Sequence, residues 1–147
     1  MEVISELIDH MTDDSASKDR VISKVIQAKL DNTLNEMIIN CSDIVGAMVS
    51  SRDGLAWSEQ LQDGLDQHRF AAMSSALLAL SDTLISETHQ SRPKNVFLES
   101  DAGNIFVMHA GNNLLLTIFT RATAQIGMSL AFAKKAAEEI SELKLNV

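Results

Sequence analysis

The chain has no tyrosine and only one residue each of tryptophan, proline and cysteine, and its aromatics amount to 4%. Its interior must therefore be filled by aliphatic side chains, alanine and the seven methionines, whose flexible thioethers fit irregular gaps. A lone cysteine, Cys41, excludes an intramolecular disulfide and suits a reducing compartment. At a helix-to-strand junction it reads as a small buried hydrophobe rather than a nucleophile, which would need a histidine beside it. Basic clusters are also missing, and the formal net charge is −8. That balance repels phosphate backbones and anionic lipid, so nucleic acid and membrane surfaces are poor partners. No apolar run reaches membrane-spanning length, and Met1 to His10 carries Glu2, Glu6 and Asp9 where a signal peptide carries bases. The simplest expectation is a cytoplasmic protein.

Chemistry-bearing patterns are equally scarce. The six glycines stand singly and mostly in turns, so no loop of the phosphate-cradling kind is present. The four histidines, His10, His68, His89 and His109, form no i, i+4 pair and have no cysteine companions. His109 shares a strand face with Ile105 and Val107 and reads as a satisfied residue at the sheet margin rather than a base. The expectation is a protein with no catalytic, cofactor or metal site of its own, hence not an enzyme.

What is present is a single-domain length of 147 residues, enough to bury about two-thirds of the surface of the unfolded chain. Residues 1–17 read as a short amphipathic helix, Met1 to Met11, followed by a polar linker; residues 18–147 read as the domain. From Lys18 to Asn40, Val21, Ile22, Val25, Ile26, Leu30, Leu34, Met37 and Ile38 follow a helical period. Ile44 to Ser50 is apolar on both faces, as a covered strand is, and Ser51-Arg52-Asp53-Gly54 turns it back into Leu55 to Ser58. The positive φ required at such turns explains Asp53-Gly54, and the same explanation extends to Asp101 and Gly103. Asn95 to Glu99, Asn104 to Ala110 and Asn113 to Thr120 follow as strands joined by tight reversals. Leu114 to Phe119 lacks alternation and must be sandwiched. A last helix starts near Thr123 and turns Ile126, Leu130, Ala133, Ala137 and Ile140 inward, with close packing on the sheet accounting for Gly127. The order α-β-β-α-β-β-β-α, with helices needed on both sides of the sheet, gives an α+β fold: a three-layer α/β/α sandwich on a five-stranded antiparallel sheet.

The most informative segment is Gln67 to Ser91, helical in pattern up to the break at Pro93 and apolar on two sides. Phe70, Met73, Leu77, Leu80 and Leu84, extended by Leu78 and Ile85, form a stripe expected to cover the sheet. About 100° away, Ala72, Ala76, Ala79 and Thr83 form a flat ridge of small side chains. That ridge faces either solvent and a neighbouring helix of the same subunit, or a second copy of the chain.

Three stretches, taken together, resemble the roadblock family of dynein light chains and their bacterial and archaeal relatives, which include gliding-motility regulators acting on Ras-like GTPases. They are Val45-Gly46-Ala47-Met48-Val49-Ser50-Ser51-Arg52-Asp53-Gly54-Leu55, Phe70-Ala71-Ala72-Met73-Ser74-Ser75-Ala76-Leu77-Leu78, and Gln125-Ile126-Gly127-Met128 followed by Lys134-Lys135-Ala136-Ala137-Glu138-Glu139-Ile140. The resemblance implies a profilin-like sheet of order 2-1-5-4-3, the first and last main helices on one face and the middle helix on the other. It also implies a homodimer formed through the third strand and middle helix, here Val96, Phe97 and Leu98 with Ala72, Ala76, Ala79 and Thr83. A small Ras-like GTPase is the implied partner, docking near the middle helices with Trp57, His68 and Arg69 as contacts and the loop Trp57 to Asp66 at the margin. Trp57 is either a core residue or a contact anchor. The alternative is a small-molecule-sensing or structural profilin-like module, such as a dynein-type or signalling scaffold subunit. A sensor would need a cavity of roughly several hundred Å³ with converging polar groups, and the sequence shows no such cluster.

Overall fold

The computed structural model describes residues 24–89, 91 and 94–143. The expected N-terminal helix, the linker, Val21, Ile22 and Pro93 lie outside these residues. Helix α1 occupies residues 24–40 of the described chain. It is followed by β1 (Ile44–Ser51), β2 (Ala56–Gln60), α2 (Gln67–Glu87), β3 (Asn95–Ser100), β4 (Gly103–Ala110), β5 (Leu114–Arg121) and α3 (Ile126–Glu142). The strands form one antiparallel sheet of order β2-β1-β5-β4-β3, as the resemblance implied. Gly54 adopts φ 88° in the β1-β2 turn, the left-handed conformation that favours glycine. Gly103 differs from expectation: it is absent from the positive-φ glycines, and a Cβ there would stand 2.6 Å from the Thr120 carbonyl oxygen. Close strand approach, not turn geometry, explains it.

Alternation along the strands sends side chains to two unequal layers. Toward α1 and α3, Leu30, Leu34, Met37 and Cys41 meet Ile44, Ala47, Val49, Phe106, Met108, Leu116, Ile118, Ala133 and Ile140 in one continuous core. Each large aliphatic group fully buried there is worth about 1.5–3 kcal/mol. Cys41 is buried, as expected at its junction. Toward α2 the buried apolar cluster is Leu78, Val107 and Leu115, flanked by Leu77, Val96 and Ile105.

Helix α2 begins at Gln67 as expected, but its end, and the start and inward face of α3, differ from expectation. Helix α3 has Gln125, not Thr123, at its N-cap, and the Gln125 N–H donates to Asp43 Oδ2 at 3.0 Å. The cap is supplied from a distant loop, so no local pattern announces it. Ser129 and Ala136 join Ala133, Ala137 and Ile140 on its buried face, while Ile126 is exposed. Gly127 has open space where a Cβ would sit, so packing does not require it. Helix α2 ends at Glu87, before Ser91: Thr88 and His89 donate their N–H groups to Ile85 O and Ser86 O, each at 3.0 Å, and His89 takes φ 59°.

Candidate interaction surface on the middle helix

The inward residues of α2 are Ala71, Ser74 and Leu78 rather than the whole bulky stripe. Met73, Leu80 and Leu84 are 52%, 67% and 66% exposed, which corrects the expectation that they cover the sheet. The physical reason is on the strands. Beneath the helix stands Thr117, whose hydroxyl donates to Ser74 Oγ at 3.1 Å, and His109, whose Nε2 lies 3.5 Å from Asp82 Oδ1. Polar groups in a dry layer need polar partners, so this seam selects the helix face that carries Ser74 and Asp82. His109 is thus held under α2 beside a carboxylate, and neither of its ring nitrogens has a hydrogen bond among the described residues.

With that face inward, Ala72, Ala76, Ala79 and Thr83 are exposed next to Met73, Leu80 and Leu84. The outer surface of α2 is therefore a broad apolar band, small residues on one side and large ones on the other. Thr83 Oγ1 donates to Ala79 O at 3.1 Å, so even its hydroxyl is satisfied within the helix. Contiguous exposed apolar surface of this kind marks interaction sites on soluble proteins.

Edge strand β3 contributes less than its sequence suggested. Phe97 turns into the core toward α1 and α3 and packs on Phe106, ring centroids 4.7 Å apart. Val96 packs beneath α2, and Leu98 alone of the three is exposed, at 44%. Among the described residues the strand nevertheless pairs only with β4, and none pairs with its other edge.

His68 and Arg69 are exposed on the first turn of α2, where Asp66 caps the helix: its Oδ1 accepts their N–H groups at 3.0 and 3.3 Å. Trp57 is half-buried against the core of the opposite layer and lines a polar groove with Gln27, Asp31 and Gln67.

The family profile for the Roadblock/LC7 domain matches residues 30–120, more than half of the chain. The chain belongs to the Roadblock/LC7 domain family. Among solved structures it is similar to an MglB with a tetrameric arrangement, at 18% identity and a TM-score of 0.73 over 79% of this chain and 88% of that one. A Roadblock/LC7 domain from Streptomyces avermitilis matches at 20% identity and 0.70, covering 75% and 92% of the two chains. Profilin IA from Acanthamoeba castellanii matches at 8% and 0.58, covering 76% and 95%, which makes the sandwich profilin-like. At these identities the likeness is one of fold. No curated protein matches the chain.

Two features of this roadblock chain go beyond the residues singled out in the sequence. Asp66 fixes the first turn of α2, a capping role that its position just before Gln67 could have signalled. An open cleft of about 410 Å³ lies near the N-terminal end of β1, with no residue of α2 among its described lining. No group of three or more potential metal-binding side chains occurs among the described residues, and no described helix is long and apolar enough to cross a membrane.

Proposed function

We propose that the protein is a homodimeric regulator or scaffold of a small Ras-like GTPase, with no catalytic site of its own. The outward band of α2 carries the reading: Met73, Leu80 and Leu84 stand exposed beside Ala72, Ala76, Ala79 and Thr83. Two copies meeting through the small ridge and the open edge of β3 would remove one part of that band from water. The remainder, with His68 and Arg69 at the helix start, would form the platform for the GTPase. Family membership and the tetrameric MglB relative support self-association, and the resemblance to gliding-motility regulators supports the choice of partner. Regulation requires differential binding, because a ligand with equal affinity for both nucleotide states shifts neither.

The test is capture from extract of the source cells on immobilised protein, with GDP or a non-hydrolysable GTP analogue added. The reading expects a Ras-like GTPase enriched in one nucleotide condition and lost with Leu80→Glu. Equal recovery in both conditions would leave a scaffold and end the regulatory reading. Recovery of no GTPase in either would end the GTPase reading altogether.

A further inference from the structure

Among the described residues the sheet is not fully covered on the α2 side. Helix α2 begins at Gln67, and Phe70 in its first turn packs edge-to-face on Phe119 with ring centroids 5.5 Å apart. Beyond that contact the cleft opens, with Val45, Ile105 and Phe119 among its lining and Leu61 and Leu65 contributed by the segment after β2. A β-bulge creates part of this surface. The pairing passes from Ile44↔Thr120 to Gly46↔Phe119, which leaves Val45 as the extra residue, 36% exposed in an otherwise buried strand.

The lining of this cleft differs in composition from the rest of the molecule. Acids outnumber bases 20 to 12 over the chain, yet the described lining contains no Asp or Glu and one cation, Arg121. Arg121 Nε forms a long ion pair with Asp43 Oδ1 at 4.0 Å, beyond hydrogen-bond distance, and the Arg121 side chain keeps 53% of its surface exposed for a second anion. Asp43 is already engaged in the fold, its Oδ2 accepting the Gln125 N–H and its carbonyl the Arg121 N–H, each at 3.0 Å. A guanidinium at the margin of an apolar cleft pairs with a carboxylate in a charge-assisted, two-pronged contact. The volume, about 410 Å³, lies within the range of small-molecule sites rather than that of a groove for a helix.

We propose that the cleft binds a small aliphatic carboxylate, its hydrocarbon body against Val45, Ile105 and Phe119 and its carboxylate on Arg121. The proposal stands independently of any GTPase partner. Phe119 serves both the cleft and Phe70, so a bound ligand touches the residue on which the first turn of α2 rests.

The experiment is a titration of the full chain, methyl-labelled at Ile, Leu and Val, with octanoate and with octanol, followed by NMR. Octanoate is expected to saturate shifts at Val45 and Ile105, with octanol about tenfold weaker because it lacks the charge-assisted contact. Arg121→Gln should bring octanoate to the affinity of octanol, and Arg121→Lys should restore part of the difference, which separates lost charge from disturbed folding. Equal binding of octanoate and octanol to the unaltered protein would overturn the proposal, as would unchanged selectivity in Arg121→Gln. So would shifts confined to the exposed Leu80 and Leu84 methyls, which would report adsorption on α2.

Discussion

The two sides of the sheet are built on different terms. Toward α1 and α3 the interior is continuous and aliphatic, with Leu30, Leu34, Leu116, Ile118 and Ile140 all fully buried. Toward α2 the buried apolar cluster is small, and beside it run Ser50, Ser74, Thr117 and the Asp82–His109 pair. Of the bulky residues on α2, Leu78, Leu77 and Phe70 pack inward, whereas Met73, Leu80 and Leu84 point away from the sheet. A helix with that distribution is fixed to its own subunit by a few apolar contacts and a polar seam, while its larger apolar investment faces outward. One layer holds the domain together; the other presents a surface.

The largest effect in this comparison belongs to the aliphatic layer. Leu34→Ala should cost about 2–5 kcal/mol through lost burial and the cavity left behind, read as a lowered midpoint in urea unfolding. Beneath α2 the response should depend on pairing rather than volume. Ser74→Ala alone strands the Thr117 hydroxyl and should cost about 1–2 kcal/mol, whereas Ser74→Ala with Thr117→Val should recover much of that loss. A double variant worse than the sum of the single ones would contradict the view of the seam as a matched polar pair.

The smallest effect should be a gain. Because a Cβ at Gly127 meets nothing within 4 Å, Gly127→Ala should raise stability by about 0.5–1 kcal/mol through reduced unfolded-state entropy, seen as a higher thermal midpoint. A loss there would show that the helix start needs glycine for a reason other than packing.

Much of the architecture was readable because its signals are local. The Arg52-Asp53-Gly54 turn, the run Leu114 to Phe119 without alternation, and the spacing of Ile26, Leu30, Leu34 and Met37 each specify an element from a few neighbouring residues. The orientation of α2 is not local in this way. Its stripe Phe70, Met73, Leu77, Leu80 and Leu84 has the same period whether it covers a sheet or meets another protein, since periodicity reports a face and not what covers it. The deciding groups lie far along the chain: Thr117 for Ser74 and His109 for Asp82. The same holds at α3, where Asp43 supplies the cap from the loop before β1. As part of an edge strand Phe97 has no local signal for its facing, and strand alternation turns it onto Phe106. The cleft depends on a bulge at Val45 and on where α2 starts, neither of which residue composition reveals.

The central claim is that the small-residue ridge on the outer band of α2 exists to be covered by a second copy. Sedimentation equilibrium of the full chain and of its Ala76→Glu variant tests this most directly, with circular dichroism confirming that both are folded. The account predicts twice the chain mass of 16.1 kDa for the unaltered protein, and the single-chain mass for the variant, because a carboxylate at the contact must be desolvated unpaired. A single-chain mass for the unaltered protein at its highest soluble concentration, or an unchanged dimer in Ala76→Glu, would contradict it.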